Sequence, residues 1–370
     1  PDGTRWGSGC CWVVRRCGAG YWSTPDGPTC WASRLAPNDR PTGPPILWRV
    51  PVLVPRQVPR RVSTPKRSPI QSRDRLRPMA EHGSIIVGGH EVRQGTTDHF
   101  ELPIGRLVTG TDMALPVRVV HGAEPGPTAW LNAAIHGDEV GGVEVITRVL
   151  RDLDPMAMRG TVLAVPVVNV WGFVGGDRFL PDRRDLNRSF PGSPSGSLAA
   201  QIAHLFMTEV VGRSVVGIDL HTASDHRSNL PQIRADLDDP ETRRLAEAFS
   251  APVMVHARNR AGTLRQAATR RGATVLLYEA GEALRFDETA IATGVDGVRR
   301  VLAAIEIIDG PTAADDPSAE SRATGWVRAG RSGILHLSVD LGDRVERRQV
   351  LGTIDDAFGN AVAAVRASRG

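Results

Sequence analysis

From Ser84 onward, short apolar runs alternate with segments of helical spacing. SIIVGGHEV (84–92), FELPIGRLV (100–108) and ALPVRVVHG (114–122) read as β-strands. TAWLNAAI (128–135) and TVLAVPVVNV (161–170) are apolar without alternation, as strands buried on both faces are. Val143, Ile146, Val149, Leu150 and Leu153 recur every three or four positions and predict a helix over 140–153. SLAAQIAHLFMTEVV (197–211), PETRRLAEAF (240–249) and roughly 287–306 read as further helices, and VVGIDLH (215–221), APVMVHA (251–257) and ATVLLYE (273–279) as strands. This alternation implies the α/β class, with a mixed, mostly parallel sheet flanked by helices. Ligands of such sheets collect at the carboxyl ends of strands, which is where His136, His221 and Glu279 fall.

On either side of this body the pattern changes. Residues 1–78 hold five of the eight Trp, 13 of the 27 Pro and no Glu, and neither helical nor strand period lasts more than a few residues. Met79 is the first methionine, and ordered patterning starts just after it. We read 1–78 as a non-native or disordered extension: upstream sequence joined to the reading frame, with the protein starting at Met79, or a disordered tail. A tryptic peptide from before Met79, found in protein from the native source, would exclude the first of these. Residues 79–310 are expected to form the main body, 311–321 a linker and 322–370 a small all-β domain. RATGWVRAGRSGILHLSVDLGDRVERRQVLGTIDD (322–356) reads as short strands split by turn signals at Ala329-Gly330, Ser332-Gly333 and Leu341-Gly342-Asp343. AVAAVRAS then leads to Gly370 without a further turn, too few strands to close a small barrel, so a truncated C-terminus is expected.

Charge and cysteine usage narrow the function classes. Of 45 Lys/Arg and 41 Asp/Glu, 14 and 4 lie in residues 1–78, so that front is net +10 and the rest is net −6. A basic nucleic-acid face on the main body is therefore not expected. Lys66 is the only lysine, which reads as codon bias rather than an arginine-based device. Cys10, Cys11, Cys17 and Cys30 have no C-x-x-C spacing and no nearby His, which argues against a structural zinc site there. No 18-residue apolar run and no charged start followed by an apolar stretch is present, so the expectation is a cytoplasmic enzyme without a membrane partner.

The candidate chemistry begins in AAIHGDEVGGVEV (133–145), where an apolar strand stops on a histidine and a helix starts a few residues later. His136 and Glu139, three apart in a tight turn, can aim at one point, with Gly137 leaving room for the backbone to bend. A hydrolytic zinc site needs three N/O ligands and an open position for water. His221, at the end of VVGIDLH and 82 residues after Glu139, suits the third place. Asp219, two residues back, suits the role of orienting a ligand. An isolated His136 would read as a capping or core histidine; the three strand ends together favour one zinc ion per chain. Glu279 ends an apolar strand, where a carboxylate is costly unless paired or functional, and beside an activated water it suits a general base. Glu282 competes for that role, but its position past the strand reads as an exposed loop charge. The stretch GGDRFLPDRRDLNRSFPG (175–192) is either a solvated loop or a carboxylate-binding one, and Leu186 and Phe190 within it favour packing that fixes Asn187 and Arg188.

HGDE (136–139), DLNRSFPG (185–192), DLH (219–221) and YEAGE (278–282), in this order, resemble the succinylglutamate desuccinylase/aspartoacylase family, related to the zinc carboxypeptidases. The resemblance runs from about Gly105 to Asp356. It implies a zinc carboxypeptidase-like fold with a C-terminal β segment, zinc on His136, Glu139 and His221, and Glu279 as base. It also implies that Asn187 and Arg188 hold the substrate carboxylate and that Arg178 polarises the scissile carbonyl. HRSNLPQIRAD (226–236) is similar to a branch that includes deacetylases of N-acetylated diamino acids, in which Arg227 and Asn229 either shape the pocket or brace their own loop. One departure is Asp182-Arg183-Arg184-Asp185, where relatives more often have a central glycine.

The expected activity is removal of an acetyl- or succinyl-type group from a small N-acyl amino acid. A metallocarboxypeptidase would use the same parts on short peptides, but the 82-residue interval before His221 leaves little chain for a peptide cleft. A non-catalytic binding module is the third reading. Residues 322–356 look like a biotinyl or lipoyl carrier hairpin, yet 79–370 offer no acceptor lysine. The acyl group, the amino acid and whether the chain forms a homo-oligomer are left open by the sequence.

Overall fold

The computed structural model describes residues 49–53 (backbone only), 83–106, 109–224, 226–314 and 316–368. The four cysteines and Met79 lie outside the described residues. Strand β1 (Arg49–Leu53) pairs antiparallel with a C-terminal strand reached below. SIIVGGHEV is not one strand but a hairpin, β2 (Ser84–Val87) and β3 (His90–Arg93), turned at Gly88 and Gly89, whose φ of 57° and 84° a side chain disfavours. The long antiparallel pair β4 (Thr96–Arg106) and β5 (Asp112–His121) leads into β6 (Glu124–Ala133).

Helix α1 (Gly141–Arg151) buries Val145, Ile146, Val149 and Leu150 on one face, with Glu144 in its first turn and Arg148 and Arg151 in its last, as the helix dipole favours. Strand β7 (Arg159–Val165) stops earlier than the apolar run, because Pro166 has no N–H for a ladder. A short helix α2 (Val170–Gly175), capped by Asn169, follows and takes Val170, the last residue of the run read as strand. Next come α3 (Leu198–Glu209), capped by Ser197, β8 (Val216–Ala223) and β9 (Ser228–Ala235). They are followed by α4 (Pro240–Phe249), with Asp239 as cap and Pro240 at its start, β10 (Val253–His256), α5 (Leu264–Arg270), β11 (Thr274–Glu282) and α6 (Glu288–Ala304).

The main sheet includes β12 (Ala319–Ser321), so the expected linker 311–321 ends in an edge strand parallel to β10. Strand order is β12-β10-β9-β11-β8-β6-β7-β5-β4. Its centre, β7-β6-β8-β11, is parallel, and the antiparallel contacts are β9 with β11, β5 with β7 and β4 with β5. One face packs on α1, α4 and α6 through Val145, Leu245, Phe249 and Val298; the other packs on α3 and α5 through Phe206, Ile202 and Leu264. The chain leaves β6 for β7 on one side and β7 for β8 on the other, which opens a crevice at the carboxyl ends of β6 and β8.

The remaining strands, β13 (Thr324–Arg328), β14 (Ile334–Leu337), β15 (Val350–Asp355) and β16 (Ala361–Arg366), form the expected small β unit. Strands β14, β15 and β16 make an antiparallel sheet, and β13 pairs with β1. Val327, Val339, Val345, Leu351, Ile354 and Val365 give it a separate core.

Candidate metal centre and catalytic site

After β6 the backbone turns sharply at Ala134, a non-glycine residue with φ of 47°. Gly137 does not take a positive φ, so it does not serve as the bend. Its role is close approach: a Cβ there would lie 1.9 Å from the Gly172 carbonyl carbon and 2.2 Å from the Phe173 nitrogen. The HGDE turn is thereby seated on the first turn of α2, which brings the loop after α2 into the crevice.

His136, Glu139 and His221 are buried together and can hold a metal ion. His136 Nδ1 lies 2.7 Å from Glu139 Oε1 and His221 Nδ1 lies 2.7 Å from Glu139 Oε2. Each imidazole has its far nitrogen against another carboxylate: His136 Nε2 is 3.3 Å from Asp185 Oδ1 and His221 Nε2 is 3.0 Å from Asp219 Oδ2. Beneath them, the Trp130 indole donates to Asn132 Oδ1 at 2.9 Å and Asn132 Nδ2 donates to Asp219 Oδ1 at 2.6 Å. A continuous series thus runs from the buried Trp130 to the half-buried Asp185. Gly217 makes room for it, since a Cβ there would stand 1.9 Å from the Trp130 ring.

This arrangement fits a divalent cation of the zinc type. Two imidazole nitrogens and one carboxylate converge, and each imidazole is fixed from behind by a carboxylate, the usual way to set tautomer and ring orientation. Three carboxylates in so small a buried volume also call for positive charge. Burial opposes ionisation of Glu139, but the two imidazoles outweigh it and hold the carboxyl well below its usual range. Burial likewise disfavours charge on His136 and His221, and the surrounding carboxylates raise both. Asp185, also opposed by burial, is drawn down to about 2 by His136 and the neighbouring Arg178 and Arg188.

Arg178 Nη1 donates to Glu139 Oε1 at 3.0 Å, which places its guanidinium at the centre of the site. Asp185 caps the short turn Leu186–Arg188, accepting from Asn187 N at 2.8 Å. Asn187 Oδ1 accepts from Leu264 N at 3.0 Å, which leaves Nδ2 as its outward donor. Loop 257–263 rests on this turn, with Phe190 N bonded to Gly262 O at 3.0 Å. Burial lowers the Arg188 pKa against the opposing pull of Asp185, and the cations of Arg260 and Arg178 add to the lowering.

Glu279 faces the same crevice. It pairs in register with His221 across β8 and β11, and Asn229 Nδ2 donates to its Oε2 at 2.9 Å. Burial pushes its carboxyl above the usual range. Strand β11 does not end there: its register shifts between Glu279 and Gly281, and Glu282 is its last residue. Glu282 is therefore not the exposed loop charge the sequence implied; it is buried, because the bulge carries the strand on. Arg227 curls back on its own loop, donating to Ser224 O at 2.9 Å and Ser224 Oγ at 3.2 Å. Arg183 has φ of 62° and faces solvent, paired to Asp177 at 3.0 Å. The sequence reading assigned no role to Asp185 or Asn132: Asp185 meets His136 only in space, 49 positions away, and a lone Asn in an apolar run gave no signal.

The sequence profile of the succinylglutamate desuccinylase/aspartoacylase catalytic domain matches residues 125–305, a stretch that contains all of these groups. The N-alpha-acetyl-L-2,4-diaminobutyric acid deacetylase of Halomonas elongata is 32% identical over 263 residues, covering 68% of this chain and 77% of that one. The succinylglutamate desuccinylase of Burkholderia cenocepacia is 35% identical over 108 residues, covering 25% and 30%. Among solved structures, the product-bound ectoine utilization protein EutE (DoeB) of Ruegeria pomeroyi superposes with a TM-score of 0.66 at 26% identity, covering 74% of this chain and 88% of that one. The succinylglutamate desuccinylase/aspartoacylase of Rhodobacter sphaeroides gives 0.65 at 26% identity, covering 74% and 89%.

Proposed function

The chain belongs to the succinylglutamate desuccinylase/aspartoacylase family, and from that premise we propose that it is a zinc-dependent amidohydrolase that removes an acetyl- or succinyl-type group from a small N-acyl amino acid. The observation that carries this reading is the convergence of His136, Glu139 and His221, braced by Asp185 and Asp219, beside the carboxylate of Glu279.

His136, Glu139 and His221 would hold the zinc, whose Lewis acidity makes a water nucleophilic near neutral pH. Glu279 accepts the proton of that water and returns it to the leaving amine nitrogen, so one carboxylate serves as base and then as acid. Its raised affinity for protons suits the second step. Arg178 donates toward the acyl oxygen as negative charge develops there. Arg188 and the free amide donor of Asn187 grip the substrate carboxylate and set the distance to the scissile bond. Arg227 braces the wall of the pocket through Ser224.

The test uses the full chain, with amine release measured from a panel of N-acyl amino acids and dipeptides, with and without a zinc chelator. Chelator-sensitive release from N-acyl amino acids alone is the expected result. Release from dipeptides instead would make the protein a peptidase, and release that no chelator affects would remove zinc from the reading. Among the described residues no helix is long and apolar enough to cross a membrane, and the proposed partner is a small molecule in a cytoplasmic setting.

A further inference from the structure

Glu279 stands where β11 breaks register against β9. Glu279 is opposite Gln232 and Gly281 is opposite Asn229, so one residue of β11 and two of β9, Leu230 and Pro231, lie between these pairs. Gly281 has φ of 69° and no side chain. The irregular backbone lets Asn229, set against this glycine, reach along the sheet and donate Nδ2 to Glu279 Oε2 at 2.9 Å. Arg227, bonded to Ser224 two ways, braces the loop that enters β9 just before it.

We propose that Asn229 is a positioning residue for the base rather than a substrate contact. This rests on the reading of Glu279 as base. The terminal torsion of a glutamate is broad and roughly two-fold, so an unheld carboxylate samples orientations in which neither oxygen meets the water. A donor fixed on Oε2 selects one orientation and leaves Oε1 to move the proton. It also favours the ionised form that the base needs at the start of each turnover.

The zinc-loaded full chain is compared as wild type, Asn229→Ala, Asn229→Asp, Glu279→Asp and the Asn229→Ala/Glu279→Asp double variant, with kcat, KM and metal content measured for each. Loss of one hydrogen bond to a carboxylate predicts a fall in kcat of roughly 10- to 100-fold for Asn229→Ala. KM and metal content stay unchanged. Asn229→Asp keeps the shape but replaces the donor with a charge that repels Glu279, so it falls further, and it also covers the case in which the alanine variant fails to fold. Glu279→Asp draws the carboxylate out of reach of Asn229, so the two losses in the double variant do not multiply. A raised KM with unchanged kcat in Asn229→Ala, or losses that multiply in the double variant, overturns the proposal. Full activity in Glu279→Gln overturns the base assignment itself, independently of Asn229.

Discussion

Asn132 joins the centre of the sheet to the candidate metal site, and its replacement by alanine tests whether the buried series acts as one structure. Asn132 is fully buried on β6; it accepts from Trp130 Nε1 at 2.9 Å and donates to Asp219 Oδ1 at 2.6 Å. Alanine removes a hydrogen bond to an ionised carboxylate, worth about 1.5–3 kcal/mol, and leaves the indole N–H without a partner at about 1–3 kcal/mol. The two add to a loss of about 2.5–6 kcal/mol, a large share of the stability of an ordinary domain. Urea unfolding of chelator-treated protein reads this without contribution from metal binding. In the zinc-loaded protein the same change frees Asp219, and with it the His221 ring, so zinc affinity should fall roughly 10- to 100-fold. A loss below about 1 kcal/mol, with zinc affinity unchanged, would show that water or a shifted backbone replaces Asn132 and that the series is not a unit.

Three further outcomes follow. Gly137→Ala should unfold or strongly destabilise the protein in a thermal melt, because its new Cβ meets Gly172 backbone at 1.9 Å and backbone cannot step aside. Arg188→Ala should raise KM with little change in kcat, whereas Arg178→Ala should lower kcat by about 100- to 1,000-fold, which steady-state kinetics separates. Glu279 has a folded-state pKa raised by burial, so its contribution to stability is present below the ordinary carboxylate pKa and is lost as pH rises through the folded value. Glu279→Gln should therefore abolish turnover yet exceed the wild type in unfolding free energy at neutral pH, with the advantage shrinking on acidification toward about pH 4.

The central strands and most helices were legible because each carries its own period: TAWLNAAI, VVGIDLH and ATVLLYE are buried on both faces and became β6, β8 and β11. Strand β9 was missed because Pro231 falls inside it, and a proline argues against a strand unless the ladder is already broken there, as it is beside the Glu279–Gly281 bulge. The same bulge hid Glu282, which seemed to follow the strand end. His136, Glu139, His221 and Glu279 could be found as polar residues ending apolar runs. Gly137 was recognised as a special position for the wrong reason, since its neighbour across space, Gly172, is 35 positions away in sequence. The partnership of Asp185 with His136 is also one of space alone.

The charges in the crevice explain why so many of its residues lie deep rather than on loops at the surface. Glu139 and Asp219 are almost wholly shielded from solvent, and Asp185 approaches the same imidazoles from another loop. A protein stabilised only by its core would place apolar residues of similar volume at these sites, because desolvating carboxylates opposes folding by several kcal/mol per ion, a rough figure even after relaxation. Here three elements are bent to bring them together: the Ala134 turn after β6, the α2 contact made through Gly137, and the DLNR turn held by loop 257–263. The buried charge and the left-handed turn at Ala134 fall in the same crevice, and the carboxylates there add nothing to the apolar packing on either face of the sheet. Stability is given up at one place in an otherwise regular fold, which is the signature of a site kept for its chemistry.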